Sequence, residues 1–286
     1  MKKNSHRGNT GILVLFLVFA VLLTSLFILE EWKKKGKPLK LPELPAPEQP
    51  VKIKEKLQEK FKGAGRIALI IDDVGWNPDI VGQVKRIQTP MTLAILPDSP
   101  FGLKIAKELS KKQGIDLILH IPLEPECTNT NTKLLQGCLT TRMDNEELKL
   151  KIDNYIDRFS PYIVGVNHHM GSKFTTNEEK MEVLLKEIKE KNLVYIDSLT
   201  STKSVGYTMA EKMGIKTARR DVFIDNSSDY EQICKTLDEV ANIAREKGTV
   251  IAIGHARTNT IKALEEKIPK LKEQGYQFVP ISKVVR

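Results

Sequence analysis

From residue 66 onward, short apolar, β-branched runs alternate with longer segments whose apolar residues recur every three or four positions. The runs predict strands over Ile67–Ile71, Met91–Leu96, Leu117–Ile121, Ile163–Val166, Leu193–Ile196, Val222–Ile224 and Thr249–Ile253, with a short last strand over Phe278–Ile281. The segments between them carry helix signals. Ser99-Pro100 offers an N-cap followed by a first-turn proline. Asp144 with Glu147 and Thr176 with Glu179 have capping-box spacing. Gly248 and Gly275 sit where helices end. Seven or eight strand–helix units predict an α/β fold with parallel strands, closed or nearly closed into a (β/α) barrel. No glycine-rich phosphate loop follows the first strand, which argues against a dinucleotide-binding sheet.

The N-terminal quarter reads differently. Ile12–Leu29 is an 18-residue run, apolar except for Thr24 and Ser25, and Lys2, Lys3 and Arg7 precede it. That length just spans a hydrocarbon core and exceeds the apolar stretch of a cleaved signal, so residues 1–30 are expected to be an uncleaved signal-anchor. Residues 31–64 form a Lys- and Pro-rich linker, with a short charged helix expected over Val51–Lys62. The folded domain is expected over 65–286. Five lysines follow the span against three basic residues before it, and that count favours a cytoplasmic domain. We nevertheless expect the domain on the extracytoplasmic, periplasmic side, because single N-terminal anchors commonly leave the N-terminus inside and the substrate argued below points outward.

Charge supports this division. Of the net +9, residues 1–60 contribute +6 and the remainder +3. The basic excess therefore belongs to a membrane-proximal segment. The domain shows no basic stripe interleaved with aromatics, so no nucleic-acid partner is expected. Cys127 and Cys138 flank a Thr- and Asn-rich segment, as one disulfide or two free thiols.

The chemistry lies at the strand ends. Six of the seven main predicted strands end in a group that can bind a metal or move a proton: Asp72-Asp73, His120, His168-His169, Asp197, Asp225 and His255. In a β/α barrel the C-terminal strand ends converge on one face. Adjacent carboxylates such as Asp72 and Asp73 repel each other's ionisation unless a cation takes one as a ligand, leaving the other as a base. Neighbouring side chains on extended backbone point to opposite sides, so only one of His168 and His169 faces that cation. His255 is suited to protonating a leaving group. His168, Asn167, Asp197, Arg220 and Asp225 are candidates for binding substrate or supporting the catalytic groups; Asp197 could equally cap the helix that follows it. One carboxylate, two imidazoles and an open position make a normal catalytic zinc site, so the set reads as a metal-dependent hydrolase.

Ile-Ile-Asp72-Asp73-Val-Gly, Leu-His120-Ile-Pro-Leu-Glu, Gly-Val-Asn167-His168-His169-Met-Gly-Ser-Lys, Tyr-Ile-Asp197-Ser and Ile-Gly-His255-Ala resemble, in order, the motifs of divergent polysaccharide deacetylases. The resemblance implies a distorted β/α barrel that removes acetyl groups from sugars with a divalent metal, most simply zinc. It implies Asp72 as base, Asp73 and His120 as metal ligands, and His255 as general acid. Because His120 has no neighbouring histidine of the usual superfamily spacing, the remaining imidazole must come from His169 or His168. The implied substrate is peptidoglycan or another envelope glycan. The competing expectations are a non-catalytic, metal-containing glycan-binding or scaffold module, and a barrel hydrolase acting on a phosphoester.

Overall fold

A computed structural model describes residues 64–126 and 137–286, with isolated positions 23, 30 and 33. The linker, the helix expected over Val51–Lys62, nearly all of Ile12–Leu29, and Cys127 lie outside the described residues. Among the described residues no helix is long and apolar enough to cross a membrane.

The domain is a single parallel sheet that curls. Its strands are β1 (Arg66–Val74), β2 (Met91–Ile95), β3 (Ile115–Leu123), β4 (Gly165–Met170), β5 (Val194–Asp197), β6 (Thr217–Arg219), β7 (Val222–Phe223), β8 (Thr249–His255) and β9 (Gln277–Val279). They lie in the order β6-β5-β4-β3-β2-β1-β8-β7, and β9 pairs with the first residues of β1. The helices are α1 (Ile80–Ile87), α2 (Gly102–Leu109), α3 (Asn145–Phe159), α4 (Glu178–Glu190), α5 (Gly206–Lys212), α6 (Tyr230–Lys247) and α7 (Thr258–Glu273).

The curl follows from the side-chain alternation of each strand. Ile67, Leu69 and Ile71 of β1 face outward with Leu117, Leu119 and Ile121 of β3, in the large core cluster shared with the helices. The alternate residues Ala68, Ile70, Ala94, Ile118, Val194, Ile196, Ala218, Ile251 and Ile253 form a second, inner cluster. Strands from both ends of the sheet meet in it, which a flat sheet does not allow. The C-terminal Ile281 and Val285 complete this inner core, and Arg286 exchanges backbone hydrogen bonds with Thr217 on β6.

The expected barrel needs one correction. β6 and β7 are the two edges of the sheet and do not pair, so the barrel is open between them. Only Arg220 and Asp221 separate these two strands in sequence, too short a link to carry a helix. β6 itself has no apolar signature, being Thr-Ala-Arg, and the pattern of hydrophobic positions passed over it. Helix starts also shifted. Asp144 caps α3 through Glu147 N at 2.8 Å, as its spacing predicts. Asn177, rather than Thr176, caps α4 through Lys180 N. Ser99 turns its hydroxyl back to Leu96 O, and α2 starts at Gly102 with no side-chain cap.

Candidate metal centre

Strand alternation decides which candidate residues meet. Asp72 continues the inward stripe Ala68-Ile70, His120 follows Ile118, and His255 follows Ile251-Ile253. On β4, Val166 packs outward, so Asn167 and His169 point in and His168 points out. Register then aligns them: Asp72 lies beside His255 on β8, and His120 lies beside Asn167 on β4.

Asp73 leaves the strand pattern. Its φ is 60°, a left-handed conformation that a non-glycine residue rarely adopts and that Asp tolerates better than most. This turn aims its carboxylate at the inward imidazoles. Asp73 Oδ1 lies 2.9 Å from His169 Nδ1 and 3.4 Å from His120 Nε2. The two imidazole rings meet edge to face, 5.2 Å apart. One donor atom from each of the three residues lies within 4.8 Å of the other two. Asp73 Oδ1 is nevertheless buried and receives no aligned hydrogen bond. Ligands at about 2.1 Å from a tetrahedral cation lie about 3.4 Å from one another. Three potential ligand atoms that converge this closely fit a divalent cation, and the donor set of one carboxylate and two imidazoles suits one chemically.

Asn167 organises the groups behind this cluster. Its Nδ2 donates to Asp72 Oδ1 at 2.8 Å, and its Oδ1 lies 2.7 Å from His120 Nδ1. The amide oxygen can only accept, so His120 Nδ1 carries the hydrogen and Nε2 presents its lone pair toward Asp73 and His169. One side chain thus fixes the tautomer of a candidate ligand and the orientation of the neighbouring carboxylate.

The protonation tendencies of the groups diverge. Burial raises the Asp72 pKa, only partly offset by His120 and the Asn167 hydrogen bond. Burial pushes Asp73 the same way, but the flanking His120 and His169 overcome it and hold this carboxyl far below the usual range. For His120, burial opposes the charged form and the Asp72 carboxylate prevails, raising its pKa. Two adjacent aspartates are thereby separated into an ionised ligand and a more basic neighbour.

His255 is held from behind. Its Nδ1 contacts Asp225 Oδ1 at 2.8 Å, and its backbone N–H donates to Asp225 Oδ2. Thr260 Oγ1 also donates to that oxygen at 2.7 Å. With Nδ1 so engaged, Nε2 is the nitrogen available for proton transfer. Burial lowers the His255 pKa, but the Asp225 contact outweighs it and the net shift is upward. Phe223, the inward residue of β7, stacks on the His255 ring, and the Arg220 guanidinium covers the other part of this stack 3.8 Å above Phe223. Arg220 is itself tied to Ser198 O and Leu199 O, bridging the open edge of the barrel.

His168 and Asp197 do not join the set, contrary to the expectation that both support catalysis. Both are buried on the outward side of the sheet, and they contact each other at 3.2 Å. His168 Nδ1 lies 2.9 Å from Met170 O, and Ser198 N–H donates to Nε2. Asp197 accepts from Leu199 N, Ser204 Oγ and Tyr207 N. Burial opposes its ionisation, yet His168 and these donors bring its pKa down to about 2. Phe223 lies in the expected strand Val222–Ile224 but was not among the candidate site residues; only the register Phe223–Ile253 places it two residues below His255.

Comparison with known proteins bears on the fold and the family. The chain is 31% identical over 208 residues to the uncharacterized protein YibQ of Escherichia coli K12, covering 73% of this chain and 64% of that protein. It is 29% identical over 208 residues to an uncharacterized protein of Haemophilus influenzae, covering 73% of this chain and 72% of that one. The crystal structure of uncharacterized protein ATU2773 from Agrobacterium tumefaciens shares the fold, with a TM-score of 0.69 at 20% identity over 81% of this chain and 94% of that one. A family profile described as divergent polysaccharide deacetylase matches residues 69–285, and the chain belongs to that family.

Proposed function

We propose that this domain is a zinc-dependent hydrolase that removes acetyl groups from amino sugars of an envelope glycan. The observation that carries the reading is the unbonded convergence of Asp73, His120 and His169 between a basic carboxyl, Asp72, and a carboxylate-backed imidazole, His255. Asp73, His120 and His169 would hold the cation. Bound there, it would polarise the acetyl carbonyl and make water more acidic.

The chain's own groups supply the proton transfers. Asp72, raised in basicity by burial and oriented by Asn167, takes the proton of the attacking water. The water oxygen adds to the carbonyl carbon and the C–N bond breaks. His255, whose hold on a proton the Asp225 contact strengthens, donates its Nε2 proton to the departing nitrogen. The products are acetate and a free amino sugar. Asp72 and His255 sit on neighbouring strands in direct register, so base and acid flank one reacting centre. A glycan of the envelope places the domain outside the cytoplasmic membrane, tethered by the apolar run Ile12–Leu29.

The test is metal content and acetate release by the full chain, with soluble oligomers of N-acetylglucosamine and peptidoglycan glycan strands as substrates. About one zinc per chain, with acetate release abolished in Asp72→Asn, is the expected result. Zinc bound with no acetate released from either substrate would sink the hydrolase reading and favour a non-catalytic glycan-binding module.

A further inference from the structure

We infer that Trp76 is the sugar-binding platform of this site and carries the pyranose ring whose acyl group reaches Asp73; the inference rests on the glycan reading above. Of the exposed large hydrophobic side chains among the described residues, Trp76 is the sole aromatic, with 64% of its surface open to solvent. A singly exposed hydrophobic is ordinary on a protein surface, so the weight of this one lies in where it stands.

Its location supplies the second observation. Trp76 and Asp73 line the same narrow cleft, about 70 Å³, together with Asn77, Gln83, Arg257 and Thr258. A sugar ring whose substituent reaches Asp73 through this narrow cleft lies against the exposed indole at its mouth. The apolar C–H face of a pyranose suits an indole face, and Asn77, Gln83, Arg257 and Thr258 offer hydrogen bonds to hydroxyls around the rim. Arg257 is anchored by donating from Nη1 to Asp225 O, the residue that also backs His255.

The loop is built to hold the indole out. Val74 O accepts from Leu96 N and Gly75 O from Phe101 N, while Asn77 Oδ1 accepts from Asp79 N, so the backbone on both sides of Trp76 is pinned. Gly75 has a φ of 130°, and any side chain there would run into Ser99. The backbone that carries the indole is thus held in place before a ligand arrives, which lowers the cost of ordering it on binding.

The chain has two tryptophans, Trp32 and Trp76, so the full chain carrying Trp32→Phe reports on Trp76 alone. Titration with the tetramer of N-acetylglucosamine should give a saturable blue shift of its emission. Calorimetry should show binding about tenfold weaker in Trp76→Ala and largely restored in Trp76→Tyr. Kinetically, Trp76→Ala should raise KM about tenfold and change kcat less than about threefold, because stacking is made equally to ground and transition states. Tetramer binding of unchanged affinity in Trp76→Ala, or binding to the parent chain with no emission change, overturns the assignment of Trp76 alone. No tetramer binding to the parent chain overturns the glycan reading and this inference with it.

Discussion

Two histidine–aspartate pairs stand back to back across one sheet, and they differ in what is left unmet. On the outward side, His168 and Asp197 are buried and saturated with partners: Met170 O, Ser198 N, Leu199 N, Ser204 Oγ and Tyr207 N. On the inward side, His169 and His120 crowd Asp73 Oδ1, which is buried with no aligned donor. The residue types are the same and two of the histidines are consecutive. A satisfied pair ties elements together, here β4 to the β5–α5 turn. An unsatisfied convergence leaves coordination capacity for a ligand.

Substitutions on the two sides should therefore fail in different ways. The largest effects belong to the inward cluster. Asp73→Ala and His169→Ala should each lose the zinc and cut acetate release about 10³-fold or more, while unfolding free energy changes by less than about 1 kcal/mol. Elemental analysis with thermal unfolding checks both halves. Asp197→Ala should do the reverse, costing about 3–5 kcal/mol of stability by leaving Leu199 N, Ser204 Oγ and Tyr207 N without their acceptor and His168 without its carboxylate. If Asp197→Ala unfolded normally yet lost zinc, the two pairs would not be separable as argued.

Asn167 tests the connection between ligand and base. Asn167→Leu removes the acceptor for His120 Nδ1 and the donor to Asp72 together. Zinc affinity should fall about 10- to 100-fold, as when other residues behind a metal ligand are lost, and kcat should fall at saturating zinc as well. A variant that lost only affinity would mean that Asn167 serves His120 and not Asp72.

The His255–Asp225 pair predicts a pH signature. Asp225 raises the His255 pKa against the effect of burial, and His255 lowers that of Asp225. For the acid role, His255 must stay protonated, so Asp225→Asn should move the alkaline limb of kcat to lower pH and reduce its plateau about 10²-fold. Stability follows the same signs. The His255 contribution is fully present below about pH 6.5, its unfolded value, and is lost as pH rises through the higher folded value. The Asp225 contribution is present above about pH 3.9 and is lost as pH falls through its lower folded value. Denaturant unfolding from pH 3 to 9 should show the stability lost in Asp225→Asn to be greatest between these limits.

The smallest effect is local. Asp144→Ala and Asn177→Ala each remove a single helix cap and should cost about 1 kcal/mol by thermal unfolding, without altering zinc content.

Much of this was legible in the order of residues. Ala68-x-Ile70-x-Asp72, Ile118-x-His120 and Ile251-x-Ile253-x-His255 carry the inward stripe directly into the chemistry, because a strand's period of two is a local property. The same period separates His168 from His169, although naming the inward one requires knowing that Val166 packs against the helices. For Asp197 the sequence left a site role and a helix-capping role open, because a strand-end aspartate looks the same whichever way it faces, and the structure has it accept from Tyr207 N in the first turn of α5. The strand at Val222–Ile224 was legible as an apolar run, but β6 and the open β6–β7 edge left no local trace, and neither did the stacking of Phe223 on His255, which depends on register with β8.

The sequence by itself determined the alternating strand and helix units, the strand ends as the place of chemistry, and the family motifs, all of which depend on neighbours in the chain. The tertiary structure alone decided that Asp73 turns through a left-handed residue onto two imidazoles, that Asn167 joins His120 to Asp72, and that Asp225 backs His255. Those contacts span 30 to 96 residues and arise from strand register and sheet curvature, which no local pattern encodes.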